Sequence, residues 1–242
     1  MLKFEELHIG FAQKKHSEQR ILFEVDSMSF KPGDFVAVIG PNGSGKTTLF
    51  NSILGHQEIL SGAINIDGEN WSNLNRIEKS KYLSFVPSKF DGVDHLSVFD
   101  LVAMGRAPYT NLLNKLTKDD QLVVQKVIDQ LGLSKFADKN TLNLSDGERQ
   151  IAMIGKALAQ DAKIMILDEP TAFLDYINRR KVLQLLKEIA QLNDQIVFIS
   201  SHDLDLCFEY CNRIIAIDTN SKKLLQFIEP FHKNDVIQTI FE

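Results

Sequence analysis

Nine consecutive residues, Gly40-Pro-Asn-Gly-Ser-Gly-Lys-Thr-Thr48, have the spacing G-x-x-x-x-G-K-[ST]. This spacing can hold a phosphate when a buried strand precedes it and a helix follows. Here the apolar run Phe35-Val-Ala-Val-Ile39 supplies the strand. The glycines let backbone N–H groups close around an oxyanion without side-chain clash, and the helix aims its positive end at the charge. In that chemistry Lys46 reaches the β- and γ-phosphates and Thr47 ligates Mg2+. Gly40, Pro41, Asn42, Gly43, Ser44, Gly45 and Thr48 complete the cradle. The motif alone indicates a nucleotide and leaves the kind of protein open.

A second group is acidic. Ile164-Met-Ile-Leu-Asp-Glu169 ends an apolar strand on two carboxylates, and ligands of parallel sheets lie beyond the carboxyl ends of strands. Asp168 is placed to hold Mg2+, directly or through water, and Glu169 to orient or deprotonate an attacking water. Between the two groups lies Leu144-Ser-Asp-Gly-Glu-Arg-Gln150, in which Ser145 and Glu148 form an S-x-x-E capping box at a helix start.

Positioning these residues calls for an α/β core. Ile164–Leu167, Ile196–Ile199 and Ile214–Ile217 are apolar on both faces, as central parallel strands are. Leu2–Ile9, Ile21–Phe30 and Ala63–Ile66 alternate, which predicts a small antiparallel sheet. A strand is also expected at Tyr82–Val86. Ser97–Met104, Asp119–Leu131 and Ser145–Gln160 are helical in pattern, and Tyr176–Leu192 is another amphipathic helix. The expected fold is α/β, a phosphate-loop core with a mainly parallel sheet, an N-terminal antiparallel subdomain and an inserted helical subdomain. As one domain over 1–242, the core and antiparallel part take about 1–95 and 161–242, and the helical part about 96–160.

Composition narrows the function classes. The net charge of the 242 residues is -5, with both signs mixed, which argues against dedicated nucleic-acid binding. Cys207 and Cys211 are the two cysteines, too few for a zinc site or a disulfide framework. They are expected as thiols on a helix. The longest apolar run, Phe35–Ile39, is far short of the about 20 residues of a membrane span. Any membrane association is therefore expected to come through a partner.

Taken in order, the phosphate loop, Leu144–Gln150 and Asp168-Glu169 resemble the motifs of ABC transporter ATPases, whose signature is usually LSGGQ. The resemblance covers nearly the whole chain. It implies that Phe11 stacks on adenine, that Ala172-Phe-Leu-Asp175 is the loop at a dimer seam, and that His202 contacts the γ-phosphate. It further implies a head-to-tail homodimer in which each ATP also meets Ser145, Gly147 and Glu148 of the other copy. Two positions depart from the family. Asp146 replaces a glycine, and its carboxylate is expected to point away from the phosphate, leaving the contact to Ser145 and the Gly147 N–H. Pro87-Ser88 stands where the family has a glutamine that reaches Mg2+ and senses the membrane partner; Ser88 keeps a hydroxyl but lacks the reach.

Val102-Ala-Met-Gly-Arg-Ala-Pro108 resembles a stretch of the iron–siderophore, haem and vitamin B12 importers. That likeness implies integral-membrane permease partners, a substrate-binding protein acting indirectly, and a location on the cytoplasmic face of the cell membrane. An exporter ATPase, or an ABC ATPase acting on ribosomes or DNA, would share the chemistry. The latter usually carries paired ATPase domains, a long coiled coil or basic surfaces, none of which is found in the sequence. A GTPase would need an Asn-Lys-x-Asp motif, which is absent.

Overall fold

The computed structural model describes residues 1–12, 19–110 and 115–241. The chain forms two compact units, Met1–Asn75 with Leu183–Glu242, and Arg76–Val182.

The first unit begins with β1 (Leu2–Phe11), β2 (Arg20–Val25), β3 (Met28–Phe30), β4 (Phe35–Ile39), α1 (Lys46–Leu54), β5 (Ser61–Ile66) and β6 (Glu69–Asn70). The second carries α2 (Arg76–Tyr82), β7 (Leu83–Val86), α3 (Val98–Ala103), α4 (Lys118–Gln130), α5 (Asp146–Ala159) and β8 (Ile164–Leu167). After α6 (Tyr176–Leu192), the first unit resumes with β9 (Ile196–Ser200), α7 (Leu204–Tyr210), β10 (Arg213–Asp218), β11 (Lys223–Ile228) and α8 (Lys233–Phe241).

Strands of the first unit run in the order β6-β5-β1-β2-β11-β10-β4-β9, with β3 beside β1. The early strands pair antiparallel, and β4 lies parallel between β10 and β9. This division follows the burial. Every residue of β4 and β9 is buried, as continuous branched runs require when both sheet faces are covered. β1 instead alternates, but with a change of phase: Leu2 and Phe4 point inward, then Leu7 and Ile9. A bulge makes the change, with Glu6 at φ 48° and a break of register between Glu5 and His8. One extra residue turns the next side chains to the other face. Opposite the bulge only glycine fits, because a Cβ on Gly62 would stand 2.3 Å from the Glu6 carbonyl oxygen. Edge-on rings tie the layers together, Phe4 to Phe30 at 5.2 Å and Phe30 to Phe198 at 5.0 Å between centroids.

The predicted piece Ile21–Phe30 is two strands, β2 and β3, and Tyr82 closes α2 rather than opening β7. Cys207 and Cys211 are both free and buried. Burial, with Cys207 beside it, pushes the Cys211 thiol well above its ordinary value, which makes it a poor nucleophile.

In the second unit β7 and β8 pair in parallel, Val86 against Leu167. The stretch 96–160 lies within this unit. Its helices start on side-chain caps: Ser97 accepts from Asp100 N, and Thr117 and Ser145 each form a capping box. Behind them is a buried clasp. Arg106 donates through Nε to Asp120 at 3.0 Å and through Nη1 to the Ala159 carbonyl at 2.9 Å. The hydroxyl and backbone N–H of Thr117, and then Arg106, hold the Asp120 carboxyl below its usual range.

Removing the guanidinium by Arg106→Met leaves a buried carboxylate without its cation. The expected loss of unfolding free energy is about 3 kcal/mol at neutral pH. Because the folded-state pKa of Asp120 is depressed, its contribution is full above the unfolded value of about 3.9 and is lost as the pH falls through the lowered one. Denaturant titrations of both proteins at pH 7 and below pH 4 check this. Equal stability at pH 7 would contradict the clasp.

Candidate functional site

The phosphate-type loop joins β4 to α1. Gly45 caps the helix in the left-handed region at φ 111° and offers no side-chain hydrogen bond. A Cβ there would come within 2.9 Å of the Phe23 ring. The first turn holds no acidic residue, so no carboxylate of that turn opposes an anion at the positive end of α1. Lys46 arches back over the loop, its Nζ donating to the carbonyls of Gly40 at 2.9 Å and Pro41 at 3.2 Å. Ser44 N donates to Pro41 O at 3.2 Å, while the buried Ser44 hydroxyl oxygen has no partner among the described residues. A glycine cradle, a nine-residue helix without a side-chain cap bond and an unsatisfied hydroxyl together fit a phosphate chain.

His202, another candidate of this unit, lies near that loop by strand register. Val38 of β4 pairs with Ser200 of β9, so Gly40 and His202, each two residues further on, leave neighbouring strand ends. His202 is exposed. Its neighbour Asp203 caps α7, accepting from Leu206 N at 3.2 Å. Phe11 ends β1 opposite Arg20 and is 48% exposed, an open aromatic surface on a strand tip. Gln57, just past α1, donates to the Gly10 carbonyl and ties that tip to the helix.

The second unit gathers a different set. Asp168 follows β8 and its N donates to Val86 O at 3.0 Å. Glu169 holds φ 46°, a left-handed conformation uncommon outside glycine and a form of strain that clusters at functional sites. Since β7 lies beside β8, Ser88 emerges at the same end of the sheet as the two carboxylates. Ser145 opens α5. Its hydroxyl accepts from Glu148 N at 3.3 Å, and its N–H donates to the Glu148 carboxylate at 2.8 Å. That backbone N–H, followed by the Ser145 hydroxyl, holds the Glu148 carboxyl below its usual range. The Asp146 carboxylate is engaged by Arg149 at 2.5 Å, and Arg149 also donates to Leu142 O. Gly147 faces Asn178, whose N and side-chain amide bind Asp175 at 2.8 and 2.9 Å. The loop Ala172–Asp175 and the start of α5 are thus neighbours.

Arg149 and Gln150 were not among the candidates, although both belong to the motif that singled out Ser145. Only the packing of α5 reveals what they touch. Among the described residues no helix is long and apolar enough to cross a membrane.

Residues 23–172 match the family model described as ABC transporter. An achromobactin transport ATP-binding protein of Dickeya dadantii is 32% identical over 212 residues, which cover 88% of this chain and 77% of that protein. A cobalamin import ATP-binding protein of Halobacterium salinarum is 34% identical over 198 residues; the match covers 82% of this chain but 49% of that relative, about half its length. Among solved structures, a metal-chelate type ABC transporter in an inward-facing conformation superposes with a TM-score of 0.80 at 28% identity, over 98% of this chain and 84% of that one.

Proposed function

Because the chain belongs to the ABC transporter family as an ATP-binding ATPase, we propose that it drives uptake of a metal chelate, a ferric siderophore, haem or a corrinoid, through a separate membrane permease. The observation that carries the ATPase chemistry is the glycine cradle ahead of α1, with Lys46 and the unsatisfied Ser44 hydroxyl inside it. The relatives named for achromobactin and cobalamin support the choice of substrate class.

In this reading each residue has a physical task. The N–H groups of 40–48 and the α1 N-terminus bind the phosphates, and Lys46 exchanges its two carbonyl partners for phosphate oxygens. Phe11 stacks on the adenine. Thr47 and Asp168 hold Mg2+, with Ser88 nearby. That ion, when bound, neutralises charge that develops on the phosphoryl oxygens. Glu169 orients and deprotonates the attacking water, and His202 donates to the γ-phosphate. Ser145, Gly147 and Glu148 present the start of α5 to the ATP of a second copy in a head-to-tail pair. The Asp146–Arg149 pair draws a carboxylate away from that surface. The pair of ATPases works on the cytoplasmic face of the membrane through its permease, with a binding protein delivering the substrate on the far side.

Uptake in the source organism tests the assignment. Deleting the gene should abolish accumulation of one of three labelled substrates, a ferric siderophore, haem or cobalamin, and the wild-type gene should restore it. Normal uptake of all three in the deletion strain would overturn the substrate class.

A further inference from the structure

Between β7 and α3 the chain runs alongside the segment that leads into α5, and hydrogen bonds stitch the two together. Thr141 N donates to Leu96 O at 2.9 Å, Val98 N to Lys139 O at 3.1 Å and Phe99 N to Ala137 O at 2.9 Å. Ser97 and Asn140 form an antiparallel bridge, and the Asn140 side-chain amide donates to Asp94 at 2.9 Å. At the centre of this seam Thr141 is fully buried. Its hydroxyl accepts from Val93 N at 3.0 Å and donates to Val93 O at 2.9 Å. A hydroxyl can do both at once because it carries one donor and two acceptor lone pairs. The side chain thus takes the place of a strand partner for Val93.

One short turn separates the seam from Ser145. The 3-10 turn Thr141–Asn143 comes first, and Leu144 N then donates to Thr141 O at 3.4 Å. Arg149 of α5 closes back on the same turn through Leu142 O at 3.3 Å. The lead into α5 is therefore held at one end by the seam and at the other by the helix itself.

We propose that Thr141 is a positioning residue for ATP turnover: its hydroxyl, by locking the 88–98 segment to the lead of α5, sets where Ser145 and the Gly147 N–H meet the ATP of a second copy. Thr141 does not touch the nucleotide and acts only through the start of α5. The seam also joins the start of α3 to the start of α5, so the two helices move as one piece. The inference rests on the reading of Ser145 as a contact to the other copy's ATP.

Thr141→Val keeps the shape and removes both hydroxyl bonds, and Thr141→Ser keeps both. Each is made in the full chain, alone and with Glu169→Gln to hold ATP unhydrolysed. Sedimentation with saturating Mg2+-ATP should show the Val variant pairing at about 10-fold higher protein concentration, the loss of one to two hydrogen bonds. The Ser variant should stay within about twofold of the parent. Turnover at saturating ATP should follow the same order. ATP affinity of the monomeric chain, read by calorimetry, should stay within about twofold in both, because the Gly40–Thr48 loop is untouched. Pairing at parental strength in the Val variant, a Ser variant no better than Val, or monomer ATP affinity falling as far as pairing would each overturn the proposal. Asn140→Ala cuts a milder part of the same seam and should weaken pairing about threefold. It keeps the idea testable should Thr141→Val fail to fold, and parental pairing in it would also overturn the seam. Ser145→Ala separates the two levels. Unchanged pairing in that variant would sink the reading of Ser145 itself, whereas weakened pairing there beside unchanged pairing in Thr141→Val would sink only the role of Thr141.

Discussion

Lys46→Ala is expected to weaken ATP binding by about 100- to 1,000-fold. The Lys46 ammonium donates to the carbonyls of Gly40 and Pro41. Those bonds pre-position it over the loop, so little side-chain ordering remains to be done on binding. Bound phosphate offers it charged acceptors in place of neutral ones, and charge-assisted hydrogen bonds are roughly twice as strong as neutral pairs. Losing two such bonds at about 1.5–3 kcal/mol each sets the expected range and leaves room for a larger effect. Lys46 is 7% exposed, so the variant should also lose about 1 kcal/mol of stability while still unfolding cooperatively. Isothermal calorimetry with Mg2+-ATP, beside a denaturant titration without nucleotide, separates the two effects. Wild-type affinity in a folded variant would remove the loop from the nucleotide site.

Glu169→Gln should give the opposite separation, with binding kept and turnover lost. The substitution preserves shape and keeps the backbone at φ 46°, but the amide cannot accept a proton from water. A missing general base costs typically 100- to 10,000-fold in rate. KM should change little, since the side chain acts on the attacking water and not on the nucleotide. If ATP joins the loop of one copy to the α5 start of another, blocking hydrolysis should also trap the pair. Sedimentation with Mg2+-ATP should then show a shift from monomer to dimer, reversed by ADP. Turnover within tenfold of wild type would remove Glu169 from its role as base, and a variant that stays monomeric at saturating ATP would count against the head-to-tail pair.

The parts of this molecule legible in the sequence are those in which neighbours in space are neighbours in the chain. The loop Gly40–Thr48 needs only glycines at fixed offsets, a strand before and a helix after, all within about twenty residues. The capping box at Ser145 and Glu148 is likewise contiguous, and it forms as its spacing predicts. Continuous branched runs identified β4, β8 and β9, because strands covered on both faces admit few polar residues.

What only the tertiary structure decides are the pairings between distant segments. Nothing in the local pattern places β9 beside β4, which brings His202 and Gly40 to adjoining strand ends. Nor does it place β7 beside β8, which puts Ser88 at the same end as Asp168 and Glu169. The bulge at Glu6 was hidden because alternation persists on either side of it and only the phase changes. Asp146 reads in the sequence as a carboxylate at a helix start, and its engagement depends on the rotamer of Arg149 one turn later. The same is true of Gln150. A polar residue in a helical run is neutral in any pattern analysis, and only the packing of α5 buries its amide without an acceptor. Hydrogen-bond satisfaction depends on the side chains that surround a group in space, and long-range contacts, not sequence spacing, bring them there.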